Sequence, residues 1–235
     1  MTDDWRASSV VRGADGRRRC AWSVSAPENL AYHDEEWGRP VTDDVRLYEK
    51  LCLEGFQSGL SWITILRKRE RFREAFAGFD PERVARFGAR DIERLMHDAG
   101  IVRHRGKIEA TIANARATLE LQERGGSLAA LVWSFEPPRR GRPVPERLGD
   151  LAAVTAESRA LAAALRRAGF RFVGPTTAYA AMQSLGLVND HLKGCHVRVA
   201  CNRLRQATLV PSVTPTSTPT GRTLRRGTRA GPRVR

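Results

Sequence analysis

The sequence predicts an all-α fold, on three observations. Apolar residues recur at three- and four-residue spacing through most of 42–186. Helix-capping residues stand ahead of several of these stripes, and no segment alternates apolar and polar residues as a half-buried strand does. A chain of 235 residues can bury a real core, as one domain or two small ones.

The elements follow in order. Residues 1–19 read as a loose basic arm. Thr42 is placed to cap a helix with Asp43 and Asp44 in its first turn and Leu47, Leu51 and Cys52 facing inward. Ser61 is placed to cap the next, carrying Trp62, Ile65, Leu66, Phe72 and Phe76 at helical spacing, with Gly78 to close it. Asp80-Pro81 is a cap followed by proline at the first helical position. Ile92, Leu95, Met96 and Ala99 form a stripe that stops at Gly100, and Ile108, Ile112, Ala115 and Leu119 continue from about Gly106. Further helices are expected at 127–135, 156–168 and 176–186, with 136–150 as a loop rich in Pro, Gly and Arg. From about 203 the composition of Pro, Thr, Gly and Arg cannot bury enough apolar surface to offset its ordering entropy, so 203–235 reads as a disordered basic tail behind a helical domain at 20–202.

The formal charge of +14 suits a polyanionic partner, but it is unevenly placed. From His191 onward there are ten Lys or Arg and no Asp or Glu, which leaves 30 basic against 26 acidic residues before it. Basic charge of this kind supports nucleic-acid binding through counterion release. No stretch reaches the roughly 18 apolar residues of a membrane span, and the first twenty residues lack the apolar core of a signal peptide. A cytoplasmic, monomeric protein is expected.

Four cysteines in a reducing compartment are better read as metal ligands or core residues than as disulfides. Cys20 and His33 stand near the start, and His191 and Cys195 near the end of the core. If the four converge they form a closed Cys2His2 zinc site; otherwise His33 is a hydrogen-bonded core residue and Cys195 a small buried one, with His196 and Cys201 as substitute ligands. Trp22, Tyr32 and Trp62 flank a carboxylate, Glu54, set in the apolar run LCLEGFQSGLSW. Singly these are core aromatics and a helix-end acid. Together, aromatic faces and a carboxylate make a receptor for a flat cation. The segment 95–108 joins two helices across a short hairpin bearing Arg103, His104, Arg105 and Lys107. It is an ordinary helix–helix turn or a phosphate-binding one.

The strings CAWSVSAPENLAYHDEEWG, LCLEGFQSGLSWITILRKRERFREAF, DAGIVRHRGKIEATIANA, LVWSFE and GFRFVGPTTAYAAMQSLGLVNDHLKGC resemble the DNA-3-methyladenine glycosylase I family of the helix-hairpin-helix glycosylase superfamily, from about Cys20 to Cys195. The resemblance implies a helical glycosylase fold whose N- and C-terminal segments are joined by one structural zinc, held by Cys20, His33, His191 and Cys195. It implies a monofunctional enzyme that hydrolyses the N-glycosidic bond of 3-methyladenine in alkylated double-stranded DNA and leaves an abasic site. Glu54 matches the acid that bonds the methylated base, and Tyr32, Trp62 and the neighbouring Trp22 match pocket aromatics. Leu60 falls where the family places a wedge into the DNA stack, and Gly100 to Lys107 matches the DNA-binding hairpin. The chain departs from the family at Asn29, where some members carry an aromatic, and after Cys195, where it reads HVRVACN. No lysine is placed in the sequence as a Schiff-base nucleophile, so no lyase step is expected. Two rival readings stand beside it: a zinc-stabilised module that binds lesions without cleaving them, and a broad alkylpurine glycosylase that accepts 7-methylguanine, which needs a roomier pocket than the motif match suggests.

Overall fold

A computed structural model describes residues 9–210 of the chain. Within them the chain forms ten α-helices and one antiparallel strand pair, so the all-helical expectation holds apart from a short N-terminal hairpin. That hairpin, β1 (Val10–Arg12) and β2 (Arg18–Cys20), pairs Val10 with Cys20 and Arg12 with Arg18. It lies inside the segment read as a loose arm. Two contacts order it, one with the far end of the core and one near in sequence: Val10 packs on the apolar cluster of Cys20, Leu192, Cys195, Val197 and Cys201, and Arg19 is buried between Asp15 and Asp34.

Helix α1 (Pro27–Glu35) starts with proline at its first turn, where the missing N–H costs nothing. It shows no apolar stripe in the sequence because the side chains it buries, Asn29, Tyr32 and His33, are polar. Helix α2 (Asp44–Gln57) is the axis of the fold and packs against α3 (Trp62–Ala75), α6 (Arg105–Glu123), α7 (Leu128–Trp133) and α9 (Pro175–Ser184). Its cap is Asp43, which accepts from the Arg46 N–H at 2.9 Å, and not Thr42. Asp44 instead reaches across to accept from the Leu128 and Ala129 N–H groups, setting a carboxylate on the start of α7. At Ser61 the hydroxyl meets the Thr64 hydroxyl rather than the backbone. Helix α3 ends at Ala75, and Gly78 follows in a separate turn at φ +73°.

Asp80 caps α4 (Pro81–Val84), as its sequence suggests. Helices α4 and α5 (Ala89–Met96) lie against α6, and α8 (Ala156–Arg167) packs on α9. Helix α10 (Arg198–Ala207) extends past residue 202, where the tail was expected to begin, because Cys201 and Arg205 are buried and Arg205 pairs with Glu136 at 2.8 Å. The expected arm and tail otherwise fall at 1–8 and 211–235, outside the described residues. The core centres on Leu47, Phe56, Ile65, Phe72, Ile108 and Trp133, where each large side chain contributes about 1.5–3 kcal/mol by leaving water. Two polar groups of its aromatic side chains are paired: the Tyr48 hydroxyl donates to the Thr111 carbonyl at 2.9 Å and the Trp133 indole to that of Val41 at 2.7 Å.

Candidate functional site

Cys20 ends β2, His33 lies in the last turn of α1, and His191 and Cys195 lie on the turns between α9 and α10. The fold brings all four together, buried, with one donor atom of each within 4.8 Å of the others. His33 Nε2 stands 3.2 Å from His191 Nδ1 and 3.4 Å from Cys195 Sγ. His191 Nδ1 stands 3.6 Å from Cys195 Sγ and 3.9 Å from Cys20 Sγ. Around a tetrahedral ion with bonds of about 2.0–2.3 Å, donor atoms lie about 3.3–3.8 Å apart, so these separations fit one metal ion. The rest of the cluster is arranged for the same purpose. The far nitrogen of each histidine has an acceptor, Asp34 for His33 at 2.8 Å and the Trp37 carbonyl for His191 at 3.0 Å, which turns the free nitrogens inward. Cys20 and Cys195 are coupled through one hydrogen bond, which draws the Cys195 thiol down and pushes the Cys20 thiol up, so that the pair gives up its first proton readily. Gly38, at φ +80°, lets the Trp37 carbonyl approach: a Cβ there would stand 3.0 Å from His191 Nε2. His196 and Cys201 are not in this set; His196 bonds Asp34 at 3.1 Å and Cys201 lies against the Trp37 carbonyl.

Beside the cluster is a cavity of about 180 Å³ walled by Trp22, Tyr32, Trp37 and Trp62, with Glu54, Gln57, Ala180 and Gln183 completing it. The four residues singled out from sequence all meet here. Metal cluster and cavity share a wall: Tyr32 and His33 are neighbours on α1, the Trp22 ring lies 5.2 Å from the His33 ring, and the Trp37 ring lies 4.7 Å from His191. Tyr32 and Trp62 face each other at 5.2 Å. The Trp62 indole N–H is buried without a partner among the described residues.

Glu54 is 5% exposed on α2. Burial pushes its carboxyl above the usual carboxylate range, against the pull of Lys50 and Ser184. Ser184 donates to Oε1 at 3.3 Å, and the Lys50 ammonium stands 3.5 Å away. Lys50 was not singled out from sequence, nor were Trp37, Gln57 and Gln183. Lys50 bonds the Tyr32 hydroxyl at 2.5 Å and lies 3.8 Å from the centroid of Trp62. Burial pushes it down to about 8. Its position one turn before Glu54 on the same helix was the signal available.

Leu60 is 43% exposed on the turn between α2 and α3, after Gly59 at φ +81°. The hairpin between α5 and α6 is held by Asp98, which accepts from the Gly100 N–H and from Arg71. His104 caps α6 by accepting from the Lys107 N–H at 3.2 Å. Arg103 and Arg105 are exposed, Arg105 in an ion pair with Glu93. Lys107 is placed differently from the expectation of a DNA contact: its ammonium turns inward and donates to the Phe56 and Ser58 carbonyls at 2.8 and 2.6 Å, satisfying the end of α2.

Comparison with known proteins adds to this geometry. The family model for methyladenine glycosylase matches residues 22–199. The chain is 50% identical to DNA-3-methyladenine glycosylase 1 of Escherichia coli (strain K12) over 177 residues, covering 75% of this chain and 95% of that protein. It is 47% identical to DNA-3-methyladenine glycosylase of Haemophilus influenzae over 180 residues, covering 75% and 96%. Among solved structures, a crystal structure of 3-methyladenine DNA glycosylase I superposes with a TM-score of 0.72 at 50% identity, covering 76% of this chain and 98% of the other. The Staphylococcus aureus enzyme, solved for the structural basis of 3-methyladenine recognition, superposes at 0.71 with 38% identity, covering 77% and 96%.

Proposed function

The chain belongs to the methyladenine glycosylase family, and from that membership we propose that it hydrolyses the N-glycosidic bond of 3-methyladenine in alkylated double-stranded DNA. It acts as a cytoplasmic, monomeric base-excision enzyme and leaves an abasic site. The observation that carries this reading is a buried carboxylate, Glu54, at a cavity walled by four aromatic rings.

The mechanism follows from the lesion. Methylation at N3 makes the base cationic, which weakens its bond to deoxyribose and makes it a good leaving group. The flipped base enters between aromatic faces, where cation–π attraction and a charge-assisted bond to Glu54 favour it over neutral adenine. The oxygen of water bonds to C1′ as the C1′–N bond breaks. The bonding pair stays with the base and cancels its charge, and the water gives up a proton to solvent. Glu54 is the catalytic residue because it faces the departing base. Trp22, Tyr32 and Trp62 bind the base, Leu60 fills the gap left in the stack, and the 100–107 turn of the helix-hairpin-helix, with Arg103 and Arg105 outward, meets the phosphates. Zinc is the metal that suits a closed Cys2His2 set. Cys20, His33, His191 and Cys195 would hold it, and its role would be structural, bracing the wall that carries Trp22 and Trp37.

The test is release of base from methylated DNA, identified by chromatography. Wild type is expected to release 3-methyladenine, and Glu54→Gln to do so about 10²-fold more slowly, the scale of losing one charged contact in a dry site. Borohydride is expected to trap no protein–DNA adduct. A folded, metal-loaded protein that binds lesions and releases no base is instead a recognition module.

A further inference from the structure

Lys50 has the surroundings of a bound cation. Its ammonium lies 3.8 Å from the Trp62 centroid and 4.6 Å from that of Tyr32, bonds the Tyr32 hydroxyl, and stands 3.5 Å from Glu54. Its side chain is only 13% exposed. These are the groups that also face the cavity, so lysine and ligand address the same carboxylate.

Two carboxylates nearby are already matched, and Arg39, which lines the same recess as Lys50, reaches only the Asp34 carbonyl among the described residues. Glu36, after α1, is held bidentately by Arg69 of α3 at 2.6 and 2.7 Å. Glu49 of α2 is paired with Arg73 of α3 at 2.7 Å. Ser184 of α9 gives Glu54 a neutral hydroxyl. Among the described residues, Lys50 is the cation that stands within 4 Å of Glu54. A carboxylate this deeply buried protonates unless a positive charge or several donors stabilise it. Burial raises Glu54, and the contact with Lys50 is the largest influence pulling it back.

We propose that Lys50 is a positioning residue of the base pocket, which holds Glu54 in its ionised form so that the site meets a cationic base with a negative acceptor. This inference rests on the functional reading above for its consequence, but not for its test.

The test follows the Glu54 side-chain carboxyl by carbon NMR across pH in the full-length, metal-loaded protein, with Glu54→Gln identifying the signal. In Lys50→Met the titration midpoint is expected to move up by at least about one pH unit, a tenfold change in the ionised fraction below it. Lys50→Arg is expected to keep the wild-type midpoint. Should Lys50→Met fail to fold, Lys50→Gln is measured in the same way. A midpoint that stays put when the ammonium is removed overturns the proposal. Binding of free 3-methyladenine, read by tryptophan fluorescence, is measured alongside. The ratio of variant to wild-type affinity cancels the ligand's own titration, and it is expected to fall toward acid pH and recover toward alkaline. A wild type that binds no 3-methyladenine counts against the functional reading, while the carboxyl titration still decides the role of Lys50.

Discussion

Asp34 joins three parts of the molecule through one carboxylate. It accepts from Arg19 at 2.8 Å, from His33 Nδ1 at 2.8 Å and from His196 at 3.1 Å. Burial pushes its carboxyl up, but hydrogen bonds from Arg19, His33 and His196 outweigh this and hold it well below the usual range. A carboxyl lowered on folding stabilises above its unfolded value, near about 4, and that contribution is lost as pH falls through the folded value. Asp34→Asn is therefore expected to melt lower than wild type at neutral pH, with the gap closing in acid. Its metal affinity is expected to fall about 10–100-fold in chelator competition, because His33 loses the group that orients it. Equal metal affinity in the two proteins would make Asp34 a partner of Arg19 and nothing more. Asp34 also marks a limit of what sequence discloses. Cys20, His33, His191, Cys195, Glu54 and the aromatics were legible because each carries its chemistry in its own side chain. Asp34 and Lys50 were not, because a charge on a helix is usually a solvated one, and only burial against a partner gives it a role. Gln183 and Trp37 reach the cavity through packing that spacing does not reveal.

At the scale of elements, α6 supports α2 through Lys107, which donates to two carbonyls at the end of α2 just before the turn that carries Leu60. Replacing it with methionine leaves those acceptors short of a donor. Lys107→Met is expected to cost about 1–3 kcal/mol, or roughly 2–4 °C of melting temperature for each kcal/mol in a chain of this size. The salt dependence of DNA binding is expected to stay at the wild-type slope, whereas Arg103→Gln, at an exposed position, is expected to lower that slope by about one. The opposite pattern, an unchanged melting temperature and a lower slope for Lys107→Met, would return Lys107 to the DNA surface. The same contrast explains which elements the sequence revealed. Helices with apolar stripes, such as α3 and α6, could be read directly. Helix α1 buries Asn29, Tyr32 and His33, and α10 buries little besides Cys201 and Arg205, so neither shows a stripe. The β1–β2 hairpin is held by a buried arginine, whose partner Asp34 lies on α1, and by the thiol cluster, which exists only once the distant ends have met.

At the scale of the molecule, the two ends of the folded core converge on one cluster, since Cys20 and His33 come from its start and His191 and Cys195 from its finish. The charge is divided along the chain in another way. Residues 211–235 carry six arginines and no acidic residue, out of a net +14. Charge of this kind acts on DNA through counterion release, independent of sequence and of the base pocket. A chain ending at residue 210 is therefore expected to bind undamaged duplex DNA more weakly at low salt. The slope of log affinity against log salt is expected to shrink by as much as about 5 if all six arginines meet phosphates, at about 0.9 per contact. Its affinity for free 3-methyladenine and its metal content are expected to equal those of the full chain, because the cavity and the cluster are built from residues before 200. Titrations of both proteins at several salt concentrations decide the matter. Parallel slopes would mean that residues 211–235 meet no phosphates and that the DNA affinity resides in the folded core, with the Leu60 turn and the 100–107 hairpin as its surface.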